Sequence, residues 1–279
     1  MLRDLEVGIG SDGRVVRLSG GREGVKVTSE VGRAPILKVA AVVPAYNEES
    51  RILRTIREIS ESGLVDTVIV VDDGSTDRTF ELAASAGVVV IRHPENKGVG
   101  GAVKSGFRKA LELGADVAVI MAGDGQMPVE DLPKFLQKCQ EGYGLVIGNR
   151  FAEHDPRRFG MPGIRYYGAK ILSFMTYIAT GVRVPDSQNG YTALSREALE
   201  AIRVETLVDR WGVHNDIISR CAVAGIPIVS VPQRPRYFDE RGARIGSKHR
   251  NFNVIGPNLR VFWKALGRRF MARLGWRRF

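Results

Sequence analysis

The sequence predicts an α/β fold, a mainly parallel sheet with helices on both faces, followed by an amphipathic C-terminal helix. Three observations carry this. Five short apolar runs, Ile36–Val43, Thr67–Val71, Val88–Ile91, Val117–Met121 and Leu145–Ile147, are mostly β-branched. Such runs suit strands buried on both faces. Helical periods separate them, at Glu48–Ser62, Asp77–Ala86, Val99–Leu113 and Val129–Glu141. Alternating strands and helices build a parallel sheet. Finally, 279 residues with 44% hydrophobic and 26% charged side chains suffice for a sizeable core. This composition excludes collagen-like, disordered and disulfide-scaffold classes.

The remaining elements follow in order. Residues 1–36 place turn signals (Gly10-Ser11-Asp12-Gly13, Gly20-Gly21) between Val-rich runs, and read as a hairpin-like extension. A core domain spans 37–250, divided near Arg150 into halves 37–150 and 151–250. The second half holds a Pro- and Arg-rich loop at 155–165, a helix near Tyr167–Ala179 and a polar turn at Asp186–Tyr191. Helices at Arg196–Ile202 and Val213–Ala224 and a strand at Ile226–Val231 complete it. A helix beyond Pro257 makes a third segment, 251–279. No run of 18 apolar residues is present, and the best, Ile171–Val182, lies between Lys170 and Arg183. Arg3, Asp4 and Glu6 interrupt any N-terminal apolar region, so no signal peptide is expected. Cys139 and Cys221 have no partner at metal or redox spacing. A reducing, cytoplasmic location is the expectation.

The charge is uneven. The chain carries +10, and residues 241–279 contain eleven Lys or Arg and no acid, so residues 1–240 sum to −1. Within this basic tail, Leu259, Phe262, Trp263, Leu266 and Phe270 recur at three- and four-residue steps. Arg260, Lys264, Arg268, Arg269 and Arg273 fall largely elsewhere, and Trp276 and Phe279 add aromatic anchors. A basic amphipathic helix of this kind fits an anionic membrane surface; packing on the body is the plainer reading. The body carries no nucleic-acid motif, so nucleic acid is not the expected partner.

Ligands of open parallel sheets bind at the C-terminal ends of the strands. There the loops read Pro44-Ala45-Tyr46-Asn47-Glu48-Glu49, Asp72-Asp73-Gly74-Ser75-Thr76-Asp77 and Ala122-Gly123-Asp124-Gly125-Gln126. Helix caps and Asp-Gly turns account for any one of them. Three acidic loops on one rim suggest a hard cation with oxygen ligands. No Gly-x-Gly-x-x-Gly follows the first strand and no Walker A motif occurs, so dinucleotide oxidoreductases and P-loop enzymes are not indicated. Asn96-Lys97-Gly98-Val99-Gly100-Gly101 is either a phosphate loop or a tight turn into a closely packed helix. The four histidines share no ligand spacing.

The stretches VVPAYNEE (42–49), VVDDGSTDRT (70–79), NKGVGGA (96–102), MAGDGQMPVEDLP (121–133), GNRF (148–151), DSQNGYTALSREAL (186–199) and GSK (246–248) together resemble the inverting family-2 glycosyltransferases of GT-A fold. Within them, the sequence is most similar to the polyprenyl-phosphate sugar synthases of the dolichyl-phosphate mannose synthase type. The resemblance runs from about Leu37 to Lys248. It implies a nucleotide-diphospho-sugar transferase fold and transfer of a sugar, with inversion, from a UDP- or GDP-linked donor to a polyprenyl phosphate. It also implies peripheral association with the cytoplasmic face of a membrane.

By the same resemblance, Pro44, Tyr46 and Glu48 contact base and ribose, and Val71 and Asp73 form the other wall of that pocket. Gly123 and Asp124 lie at the donor, and Asp124 matches the last acid of the D-x-D motif that holds Mg or Mn. Gln126 is its companion ligand. Arg150 and Arg165 receive the acceptor phosphate, and Arg244 and Lys248 belong to a basic loop that closes over the diphosphate. The family often has Asp where this chain has Ala122. An acceptor phosphate is ionised near pH 7 and needs positioning, which arginine forks provide. A hydroxyl acceptor would need a base, for which Asp186 and Asp216 are the candidates. Asp124, Arg150 and Asp186 are thus the expected catalytic set. The alternatives are transfer to a hydroxyl acceptor and nucleotide-sugar binding without turnover.

Overall fold

The computed structural model describes residues 6–9, 14–21, 24–33, 37–237 and 255–274, with side chains in 37–237 and 256–274. Arg244, Lys248, Trp276 and Phe279 lie outside the described residues. The chain forms two compact units, Met1–Leu37 and Lys38–Phe279. In the first, β1 (Glu6–Ile9), β2 (Arg14–Gly21) and β3 (Gly24–Arg33) pair antiparallel in chain order. The extension read as hairpin-like therefore has a third strand.

The second unit is built on a seven-stranded sheet. Its strands are β4 (Val39–Ala45), β5 (Thr67–Asp72), β6 (Val89–Arg92), β7 (Val117–Ile120), β8 (Leu145–Asn149), β9 (Thr192–Ser195) and β10 (Ile228–Pro232). They lie in the order β10-β8-β9-β7-β4-β5-β6. All pairs are parallel except those of β9, which runs antiparallel between β7 and β8. The sequence predicts a polar turn and then a helix here, and no strand. Thr192-Ala-Leu-Ser is too short and too mixed to announce one, and its pairing comes from the strands on either side.

Helices cover both faces: α1 (Ile52–Glu61), α2 (Thr79–Ser85), α3 (Val99–Glu112), α4 (Leu132–Gln140), α5 (Gly163–Thr180), α6 (Arg196–Ala201), α7 (Val213–Ala224) and α8 (Ile255–Arg273). Val42, Ile69, Val71, Ile120 and Ile147 meet Val103, Phe107, Leu199 and Ile217 in one continuous core. Helix α3 crosses β4 closely because Gly106 has no Cβ, which would collide with Val42. The glycine-rich stretch ahead of it serves the same end. A Cβ on Gly100 would strike the Val208 carbonyl, and the Gly101 amide donates to Asp209 O at 2.7 Å. This is the closely packed turn rather than a phosphate cradle.

Helix α8 packs on α5 and α7. It does so through Asn258, Val261 and Ala265, which are almost fully buried. Asn215 Nδ2 donates to Asn258 Oδ1 at 2.8 Å, and Arg268 reaches Asp216 at 2.6 Å and Ser219 at 2.7 Å. The apolar stripe read from the sequence is therefore split. Small and β-branched residues face the body, where close approach of helices needs them. Leu259, Trp263, Phe270 and Leu274 are left exposed, with Phe262 and Leu266 half-buried.

Candidate active site

Strands β7, β4 and β5 are neighbours and parallel, so their C-terminal loops share one rim. The loops after β4 and β5 are zipped together. Asn47 N donates to Ser75 Oγ at 2.9 Å, Glu48 N to Thr79 Oγ1 at 2.8 Å and Thr76 N to Asn47 Oδ1 at 2.9 Å. Asn47 itself adopts φ 55°, a left-handed conformation that Asn tolerates better than most residues. This zipper fixes the crevice walls bearing Pro44, Tyr46 and Glu48. Val71 has its side chain wholly in the core and can offer only main chain at the rim.

Asp73 is buried and fully engaged. It accepts from His93 Nδ1 at 2.7 Å, Lys97 N at 3.0 Å and Gly98 N at 2.8 Å. His93 Nε2 continues to Ser105 Oγ at 2.9 Å. The amides of the glycine-rich stretch thus hold a carboxylate of the protein itself. Asp77 is likewise bound by Thr79 and by the Glu49 amide.

Three acidic loops do reach one rim, but they do not combine into a metal cage. Among the described residues no three Asp, Glu, His or Cys side chains gather as a metal site. Local hydrogen bonds take up the Glu49, Asp72, Asp73 and Asp77 carboxylates first. Asp124 and Glu48 remain. Burial, then the neighbouring Asp124 and Asp77 charges, hold Glu48 above its ordinary value, against the pull of Arg51 at 2.8 Å. Asp124 is also held above its ordinary value, by burial first, against the Gln126 amide at 3.0 Å and the charges of Arg165 and Arg51. A crowded carboxylate of this kind gains from a cation. Asp124 and Gln126 would hold a magnesium ion together with diphosphate oxygens and water, since magnesium is usually bound by one or two carboxylates beside substrate phosphates. Gly123 sits where a Cβ would press on Ala45, Ile52 and the Pro44 carbonyl, so it lets the Asp124 loop lie against β4.

The second cluster lies at the end of β8. Arg150 and Asp186 are both buried, at 8% and 0% exposure, and form a two-pronged ion pair. Arg150 Nε donates to Asp186 Oδ2 at 2.7 Å and Nη2 to Oδ1 at 2.9 Å, while the Arg150 amide donates to Oδ2 at 3.2 Å. Burial disfavours the Arg150 cation, but the Asp186 charge and its hydrogen bonds more than offset this, so its pKa stands above the ordinary value. Arg165, from the first turn of α5, joins them. Much of its side chain is open to solvent, yet its head group is crowded by protein and by Arg150, and both hold its pKa below the ordinary value. It also feels Asp124, which links this cluster to the loop after β7.

Asp216, the other base candidate, is buried and held by Arg268 at 2.6 Å and Arg220 at 3.3 Å, with Val208 N donating at 3.2 Å. It anchors α7 to α8. His214 and Tyr237 join the Arg150–Arg165 cluster without being marked in the sequence: the Tyr237 ring lies 5.7 Å from the Arg165 guanidinium, and His214 feels the Arg150 and Asp186 charges. No motif marks either one; the β8–β10 pairing and the start of α7 bring them in.

The glycosyl transferase family 2 model matches residues 40–203. The chain is 30% identical over 253 residues to the UDP-N-acetylglucosamine–dolichyl-phosphate N-acetylglucosaminyltransferase of Methanococcus voltae, across 84% of this chain and 95% of that protein. It is 31% identical over 202 residues to the undecaprenyl-phosphate mannosyltransferase of Micrococcus luteus, across 70% and 82% of the two chains. Glucosyl-3-phosphoglycerate synthase of Mycobacterium tuberculosis, solved with Mn2+, UDP and glucosyl-3-phosphoglycerate, superposes with a TM-score of 0.60 at 22% identity. That superposition covers 83% of this chain and 81% of the other, and shows the GT-A fold. With the matched region spanning the three acidic loops and Arg150, Arg165 and Asp186, the chain belongs to glycosyl transferase family 2 and is a glycosyltransferase.

Proposed function

We propose that the protein moves a sugar from a UDP- or GDP-linked donor to a polyprenyl phosphate, with inversion, at a membrane surface. One observation carries the choice of acceptor. Both candidate bases are engaged, Asp186 in the two-pronged pair with Arg150 and Asp216 between Arg268 and Arg220. A carboxylate held in this way is a poor acceptor for a hydroxyl proton. A phosphate acceptor needs no such base. It needs cations, and Arg150 and Arg165 stand together to supply them. The acceptor oxygen forms its bond to the anomeric carbon as the bond to the nucleoside diphosphate breaks. The chain's part is to hold the two phosphates apart and aligned, Asp124 on the donor side and Arg150 with Arg165 on the acceptor side. A divalent metal held by Asp124 and Gln126 would neutralise charge on the leaving diphosphate.

An acceptor panel tests this. Undecaprenyl or dolichyl phosphate should accept sugar from UDP-GlcNAc, UDP-Glc or GDP-Man, and the matching free polyprenols should not. Transfer to a polyprenol, or to a soluble hydroxyl acceptor alone, overturns the reading. Nucleotide binding without turnover on any acceptor favours a binding protein.

The surface supports a lipid-borne substrate. On α5, Ile164, Tyr167, Ile171, Phe174 and Ile178 form an exposed stripe, beginning one residue from Arg165. Helix α8 adds Trp263, Phe270 and Leu274, and Arg269 of α8 donates to Ile178 O at 2.6 Å. Lys170, Arg183, Arg260, Lys264 and Arg273 are exposed on the same two helices and the loop after α5. A monomer rarely leaves so much contiguous apolar surface in water. The mix of aromatic and basic side chains suits an anionic leaflet. No described helix is long and apolar enough to cross a membrane. The unpaired thiols of Cys139 and Cys221 fit a reducing compartment, hence the cytoplasmic face. Phe174→Glu with Trp263→Glu should cut binding to phosphatidylglycerol vesicles by about tenfold or more, since each aromatic contributes about 1.5–3 kcal/mol when buried. Flotation with unchanged binding would remove this surface from the proposal.

A further inference from the structure

Among the described residues, four buried side-chain polar atoms lack a hydrogen-bond partner: Asp72 Oδ2, Arg220 Nε, Tyr237 Oη and His214 Nδ1. The first two still face an opposite charge, Arg92 at 3.5 Å and Asp216 at 3.3 Å. The other two belong to the Arg150–Arg165 cluster: Tyr237 lies against Arg165, and His214 stands within reach of the Arg150 and Asp186 charges. Tyr237 is only 4% exposed. Its ring lies 5.7 Å under the Arg165 guanidinium, and its hydroxyl is close to Arg150 without closing a hydrogen bond of normal geometry. His214 opens α7, and a Cβ on Gly190 would come within 3.5 Å of its Nε2.

A buried phenol without a partner costs about 1–3 kcal/mol, and phenylalanine would fill the same space without that cost. Two such atoms in the cluster of Arg150 and Arg165 point to a partner that arrives with the substrate. Its chemistry follows from the neighbours. Two guanidiniums lie close enough to repel, and among the described residues only Arg150 has a carboxylate in contact. Counting the described residues, the pair is one negative charge short, and an anion between them would supply it. We infer that Tyr237 and His214 are ligand-contacting residues of the acceptor subsite, donating hydrogen bonds to the phosphate oxygens that Arg150 and Arg165 neutralise.

The inference rests on the polyprenyl-phosphate reading and adds two uncharged donors to it. His214 suits the part. Burial first, then Arg150, push its imidazole down to about 4 against the pull of Asp186. It is therefore neutral, with one N–H to donate. Neutral donors orient an oxyanion without adding to the repulsion between the two arginines. They also discriminate, because an acceptor lacking the phosphate leaves both atoms unpaired.

Steady-state kinetics of the full chain with a short-chain polyprenyl phosphate test this. Tyr237→Phe should raise the acceptor KM by about tenfold or more, the worth of one hydrogen bond to a charged group, with donor KM unchanged. Its melting temperature should hold or rise. His214→Asn, which keeps a nitrogen at the Nδ1 place, should stay nearer the wild type than His214→Gln. Calorimetry with an isoprenyl monophosphate should show the same losses without turnover. An acceptor KM within about twofold of wild type in Tyr237→Phe, or an equal rise in donor KM, overturns the inference. A wild-type enzyme that uses no polyprenyl phosphate overturns the functional reading instead, a different result.

Discussion

Arg150→Met is expected to abolish transfer and to lower the melting temperature by about 10 °C. Both effects have one source. Asp186 is fully buried, and Arg150 gives it two guanidinium hydrogen bonds and one from its amide. Removing the cation leaves a carboxylate without its counter-charge in a dry setting, which costs about 3–5 kcal/mol. For a domain of this size each kcal/mol moves the midpoint by about 2–4 °C. Stability and function separate in the double variant. Arg150→Met with Asp186→Leu removes both ions, and an apolar pair of similar volume is often tolerated well. Most of the lost stability should return, whereas transfer to a phosphate acceptor should not. Thermal denaturation and an acceptor assay on the four members of this cycle decide it. A double variant that regains transfer would show that Arg150 serves only the fold.

The pair also shows where sequence reading stops. Arg150 and Asp186 each stand out in the sequence as candidates, one from GNRF and one from the turn at 186. Their partnership was not, because 36 residues separate them and β9 lies beyond. The sheet itself was legible because parallel strands buried on both faces must be apolar throughout. The donor rim was legible because its loops carry recognisable residue strings. What those carboxylates do was not, since no spacing announces that His93, Lys97 and Gly98 converge on Asp73. The apolar face of α5 was in view as a run too short to cross a bilayer. Its orientation became apparent only with Ala169, Ser173 and Thr176 buried on the opposite side. Tyr237 and His214 carried no signal at all, for an orphaned hydroxyl or imidazole is a property of packing.

Asp124→Asn should remove turnover, by about a thousandfold or more, while leaving the fold intact or firmer. The loss follows from the donor side. By the resemblance, Asp124 is the acid matched to the last position of the D-x-D motif, and the residue two before it is Ala122. Charge building on a leaving diphosphate needs a cation, and such stabilisation is worth several kcal/mol in the transition state. The gain follows from the raised pKa. A carboxyl whose folded value lies above its unfolded one binds a proton more readily in the native state, so stability falls as pH rises through that window. At neutral pH the wild type therefore carries a crowded charge, and asparagine removes it at nearly the same size. Without metal, the variant should melt at or above the wild-type temperature near pH 7, and the difference should shrink as the pH is lowered through the carboxylate range. With manganese and donor present, only the wild type should rise further. A variant that melts well below the wild type, or one that keeps turnover within about tenfold, would assign Asp124 to the scaffold and leave the donor diphosphate to other groups.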